Sequence, residues 1–261
     1  MRRLIAFPCD GDTLIGSLDE AAGAIGLLIV SGGNEIRAGA HRGMAALAAT
    51  LASEGVPVFR YDRRGIGDSG GVNRQFLEAR DDLIAACAAF RTHTPHLTRI
   101  VAFGNCDAAT TIAIHGRDAG IERAMLANPW TVARADELPP PAAIRAHYAA
   151  RLRDPATWRR MIRGGVSFPK LLRGLRRISL PKPQTDTLAN DVLAAIARWG
   201  ADVTIMLAAR DATAIAYADA ARRAGIAPRT ITIPTASHSF ARSADAAALT
   251  AAIRDLVTAC E

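Results

Sequence analysis

Lysine is almost missing from this chain: Lys170 and Lys182 are the only lysines among 32 basic residues, so its net charge of +7 is an arginine charge. A pI near 9.9 raises nucleic acid as a partner, but the distribution of charge matters more than its sum. The surplus falls in one segment, and no nucleic-acid partner is expected. Cysteine is scarce too. Cys9, Cys87, Cys106 and Cys260 are widely spaced, which excludes a disulfide framework and any cysteine-based metal site and points to a reduced cytoplasm. No apolar run reaches membrane-spanning length, and the start MRRLIAFPCD has too few apolar residues before Pro8 for a secretory signal. No GxxxxGK[ST] phosphate loop occurs, and the Gly65/Gly67 pair alone is weak evidence for one. No metal or cofactor is expected.

Apolar residues make up 50% of the 261 positions, enough for one substantial core. Short apolar runs alternate with helix-period segments. Arg3 to Phe7 and Thr13 to Leu18, around the turn residues Asp10, Gly11 and Asp12, predict an N-terminal hairpin. Ile25 to Val30, Val56 to Tyr61, Arg99 to Phe103, Arg123 to Ala127, Val203 to Ala208 and Thr230 to Ile233 predict strands buried on both faces, as in a parallel sheet. Between them, His41 to Glu54, Asn73 to Phe90, Ala214 to Ala224 and Ser243 to Ala259 predict helices. The fold class is α/β, a mostly parallel, doubly wound sheet. From residue 130 to 200 the alternation gives way to short helical segments, predicting a helical cap inserted into a core formed by 1–129 and 201–261. All three tryptophans lie in that stretch. Trp130, Tyr148 and Trp158 are candidates to line an apolar substrate pocket beneath it.

The chemistry centres on Gly104, Asn105, Cys106, Asp107 and Ala108, between a predicted strand and a predicted helix. This is GxSxG with Cys for Ser and Ala for the second Gly, the pattern of a sharp turn whose strained central residue needs small neighbours. A helix start also favours a thiolate. Asp211 and His238 each stand just past a later strand, where open parallel sheets place their chemistry. Cys106, Asp211 and His238 thus occur in the order nucleophile, acid, base. His238 would take the thiol proton, Asp211 would orient the imidazole, and the sulfur would attack a carbonyl. The backbone N–H of Asp107 and that of Gly33 or Asn34, in the glycine turn after Val30, are the candidate oxyanion donors. His115 falls within a helix and reads as structural, and Cys87 reads as core.

This order and context resemble the α/β-hydrolases. Nearly end to end, the chain further resembles the first type of hydrolase family associated with the exosortase A system, through SGGNEIRAGAHRG (31–43), RYDRRGIGDSGG (60–71), FGNCDAA (103–109), NPW (128–130) and HYAARLRDPATWRRMIRG (147–164). The resemblance implies a cysteine hydrolase encoded near bacterial exopolysaccharide genes. The triad chemistry predicts cleavage of an ester or thioester of a small-molecule or carrier-bound acyl group, and the basic segment 130–200 makes an acyl carrier protein a candidate partner. Acyl transfer by the same residues, or a silent scaffold that binds a partner, are the alternatives. Epoxide hydrolases and dehalogenases place aspartate at the elbow, whereas Asp107 stands one residue out of register.

Overall fold

A computed structural model describes residues 1–132 and 187–260. Eight strands form one sheet: β1 (Arg2–Cys9), β2 (Asp12–Asp19), β3 (Ile25–Val30), β4 (Val58–Tyr61), β5 (Arg99–Asn105), β6 (Arg123–Ala127), β7 (Val203–Ala208) and β8 (Arg229–Ile233). Their order is β1-β2-β4-β3-β5-β6-β7-β8. Only β1/β2 and β2/β4 pair antiparallel, and every later pair is parallel. Among the described residues the α-helices are α1 (Gly43–Ser53), α2 (Arg80–His93), α3 (Asp107–His115), α4 (Thr187–Trp199), α5 (Ala212–Ala224) and α6 (Ser243–Thr258).

Strand periodicity divides the core in two. Leu28 and Val30 of β3 and Ile100 and Ala102 of β5 join α2, α3, α4 and α5 on one face. Leu27 and Ile29, with Val101 and Phe103, join α1 and α6 on the other. All six residues of β3 are buried, as expected of a central strand covered on both sides. Each large apolar side chain so enclosed contributes about 1.5–3 kcal/mol.

The predicted strands and hairpin are present, while three helix starts differ, α5 beginning at Ala212 rather than Ala214 because Asp211 caps it there. Helix α1 begins at Gly43 because His41 and Arg42 adopt left-handed backbone, φ 52° and 59°. Helix α2 begins at Arg80 rather than Asn73: the Asn73 carboxamide accepts the Gln75 N–H at 2.8 Å, and Gln75 has φ 63°. A local asparagine turn there outcompetes the helix. Phe76 therefore precedes α2, and its carbonyl accepts the Thr111 hydroxyl of α3 at 3.0 Å.

Helix α4 packs through Val192, Leu193, Ile196 and Trp199 into the core. The Trp199 indole donates to the Ala113 carbonyl at 2.9 Å, and the Arg117 guanidinium lies 4.3 Å from its ring centroid. That cation–π contact contributes about 0.5–1 kcal/mol. The cap segments around Ile144, Trp158 and Phe168, with Tyr148, lie outside the described residues.

Candidate active site

Strand β5 delivers Cys106 to the turn before α3. Its backbone sits at φ 62°, ψ −126°, a conformation side chains rarely adopt. The Cys106 N–H donates to the Ala127 carbonyl at 2.9 Å, and its carbonyl accepts the Trp130 N–H at 3.2 Å. The neighbours have to be small: a Cβ on Gly104 would stand 2.7 Å from Ile112 Cδ1 and 2.9 Å from the Ala108 carbonyl carbon. Trp130 is thereby tied beside the nucleophile candidate, and its carbonyl accepts the Thr110 hydroxyl at 2.8 Å.

Asp211 stands in the turn after β7 and caps α5. One oxygen, Oδ2, accepts the N–H groups of Thr213 and Ala214, each at 3.0 Å, and the same oxygen lies 3.1 Å from His238 Nδ1. The cap alone is worth about 0.5–2 kcal/mol, so Asp211 is both a helix stop and an imidazole partner. His238 stands in the loop after β8, where the Thr235 hydroxyl accepts the Ser237 N–H at 3.0 Å and donates to Asp245 at 2.6 Å. Cys106 is the second group, after Asp211, that favours the charged imidazole. Because Nδ1 faces the carboxylate, Nε2 is left for the sulfur.

The hydrogen bonds to Asp211 and then Cys106, opposed by burial, raise the His238 pKa from 6.5 to about 10. For Asp211, burial pushes the carboxyl up, but the His238 hydrogen bond and charge, with the Ala214 and Thr213 N–H groups, hold it below its ordinary value. Both shifts favour an imidazolium beside a carboxylate. A raised folded-state pKa stabilises the fold fully below about pH 6.5 and loses that contribution as pH rises through about 10. The imidazole is 39% exposed, so solvent screening keeps the contribution small. In Asp211→Asn, which retains a capping side chain, the His238 midpoint is expected to fall by roughly 1–3 units in an NMR titration. An unmoved midpoint would separate the two residues.

The candidate oxyanion donors differ in their surroundings. Asp107 N–H opens α3. The Gly33 N–H donates to the Asp107 side chain, 2.6 Å from Oδ1. Among the described residues no acceptor is found for the Asn34 N–H. Arg63, only 4% exposed, hydrogen bonds the Gly33 carbonyl and lies 3.8 Å from Asp107 Oδ2. The glycine-rich loop after β4 thus grips the loop after β3. Asp62 does the same, accepting the Arg37 N–H at 2.5 Å and its guanidinium. These side-chain roles were not legible in the sequence, since each pairs residues more than twenty positions apart.

Two asparagines also enter the site unannounced. Asn105 and Asn128 both donate to the His238 carbonyl, at 3.0 and 3.1 Å. Asn128 sits past β6, where an acid could have stood, and a strand-end asparagine beside the elbow was the only sequence signal for it. His115 closes the far end of α3 with its Nε2 3.3 Å from the Leu77 carbonyl. Tyr148 and Trp158 lie outside the described residues. Among the described residues, no three His, Cys, Asp or Glu side chains gather as metal ligands.

No curated protein matches the chain. Its fold is similar to that of DcsB, solved in complex with a substrate analogue, at TM-score 0.65 and 14% identity over 99% of each chain. It is also similar to the proline iminopeptidase of Mycobacterium smegmatis, at TM-score 0.63 and 16% identity over 99% of this chain and 100% of that one. The thioesterase domain of the curacin biosynthetic pathway aligns at TM-score 0.57 and 13% identity over 97% and 99%. Residues 27–252, spanning the elbow, the Asp211 turn and the His238 loop, match the profile described as "Alpha/beta hydrolase family". The chain belongs to the alpha/beta hydrolase family.

Proposed function

We propose that the protein is a cysteine hydrolase that cleaves an ester or thioester acyl group through Cys106, His238 and Asp211. The carrying observation is that His238 Nδ1 lies 3.1 Å from Asp211 Oδ2 while Cys106, at the strained elbow, also favours the charged imidazole. The Cys106 sulfur, its proton on His238, adds to the substrate carbonyl. Asp107 N–H and Asn34 N–H receive the oxyanion, since the Gly33 N–H is engaged by the Asp107 carboxylate. As the tetrahedral adduct collapses, the carbon–oxygen or carbon–sulfur bond breaks and His238 returns its proton to the leaving group. Water, deprotonated by His238, then releases the acid and restores the thiol. Esterase and thioesterase folds among the similar structures support this substrate class, including an esterase from Pyrococcus furiosus at TM-score 0.64 and 14% identity, covering 99% of this chain and 90% of that one.

All four cysteines are free, which supports a reducing, cytoplasmic setting. Among the described residues no helix is long and apolar enough to cross a membrane. The resemblance to exosortase-associated hydrolases supports a link to exopolysaccharide production. The charge pattern narrows the donor. Between residues 130 and 200, eleven arginines and two lysines stand against five acids, a surplus of eight positive charges where the whole chain carries +7. A basic cap there would attract an anionic acyl donor such as a coenzyme A thioester or an acyl carrier protein. The expected result is that kcat/KM for such a donor falls steeply as ionic strength rises, while that for a neutral ester holds. Replacing Arg159, Arg160 and Arg163 by Gln should flatten the slope. Equal salt dependence for both donors would remove the steering role.

A further inference from the structure

We infer that Asn105 and Asn128 form an amide clamp that positions His238 over Cys106 by holding its main-chain carbonyl. The inference rests on the triad reading above and extends it to two residues bonded to the His238 main chain.

The hydrogen bonding allows one orientation of each amide. Asn128 Nδ2 donates to the His238 carbonyl at 3.1 Å and to Asn105 Oδ1 at 2.9 Å, which uses both of its hydrogens. Asn128 Oδ1 accepts the Ala208 N–H at 2.9 Å. Asn105 Nδ2 supplies the second donor to the His238 carbonyl at 3.0 Å. Rotating the Asn128 amide by half a turn would set oxygen against two acceptors and NH₂ against the Ala208 donor, so the chemistry fixes the assignment. Asn128 is completely buried and has φ 42°, a left-handed backbone. Of the residues with a side chain, asparagine tolerates that conformation best. A carboxylate at this strand end could accept from Ala208 but could not donate to His238 or Asn105.

The mechanical consequence follows from connectivity. Asn105 immediately precedes Cys106, and the Cys106 N–H is bonded to Ala127, the residue before Asn128. The clamp therefore links the base-bearing loop to the two strand ends that build the elbow, by a route that does not pass through Asp211. Both carbonyl lone pairs of His238 are filled, and the loop is pinned at the residue whose ring has to reach two partners at once.

The test uses the full chain with Asn128→Asp, isosteric but unable to donate, and Asn105→Ala, at a half-buried position. Either is expected to lower kcat by about 10²-fold with KM unchanged. In Asn105→Ala, which adds no charge, the His238 NMR midpoint should move down from about 10 toward 6.5 as the ring loses register with Asp211 and Cys106. Iodoacetamide should alkylate Cys106 more slowly at neutral pH, with circular dichroism unchanged in Asn105→Ala. Should Asn128→Asp fail to fold, Asn105→Ala carries the test alone. Native His238 titration and native alkylation rates in Asn105→Ala would overturn the clamp. Both readouts are substrate-free, so they report on the clamp even if native protein turns over no acyl donor, a result that would instead overturn the hydrolase reading.

Discussion

Cys106→Ala is expected to lower kcat/KM for any acyl donor by roughly 10⁴–10⁶-fold while leaving the melting temperature close to that of the native protein. The fold should survive because the elbow is held by main-chain bonds that alanine retains, from the Cys106 N–H to Ala127 and from the Trp130 N–H to the Cys106 carbonyl. Cys106→Ser keeps the base and the oxyanion donors, so a trace of activity should remain. Alkylation provides an independent check. Cys9, Cys87 and Cys260 are buried, and burial pushes the Cys9 thiol up to about 11 and the Cys87 thiol to about 12. Label should therefore collect on Cys106 and disappear in Cys106→Ala; equal labelling of all four would contradict its assignment.

The second large effect is non-additivity between His238 and Asp211. His238→Ala removes the proton carrier and is expected to cost nearly as much as Cys106→Ala. Asp211→Asn leaves the α5 cap in place but lets the imidazole choose the wrong tautomer, a loss of about 10⁴-fold in kcat by analogy with hydrolytic triads in general. In the double variant, the Asp211 change should cost little beyond the His238 change, because Asp211 acts through the ring that is gone. Losses that multiply would mean that the two residues act separately. Asp211→Ala is the poorer probe, since it also uncaps α5, at about 1 kcal/mol, and mixes stability with catalysis.

The sheet was legible in the sequence because its buried strands are short, unbroken apolar runs bounded by turn residues. Ile25 to Val30, Arg123 to Ala127 and Val203 to Ala208 run the same lengths in the structure. Helix starts were less legible because a local contact decides them: the Asn73 turn before α2 and the left-handed His41 and Arg42 before α1 leave no periodic signature. At the site, spacing and order singled out Cys106, Asp211 and His238 as one set, since each follows a strand. What ties their loops together was hidden. The pairs Asn105–His238, Asn128–His238 and Gly33–Asp107 cross between separate strand ends, and no one-dimensional pattern encodes which loops meet. The dual use of Asp211 Oδ2, as cap and as imidazole partner, needed coordinates for the same reason.

The most direct measurement is the mass of the enzyme during turnover. A reactive thioester donor is mixed with the native protein, quenched in acid within the first turnover, and the digested chain is weighed peptide by peptide. The account predicts one acyl group on the peptide carrying Cys106, labile to hydroxylamine and absent in Cys106→Ala. Turnover with that peptide unmodified throughout, or with the acyl group on another residue, would contradict it.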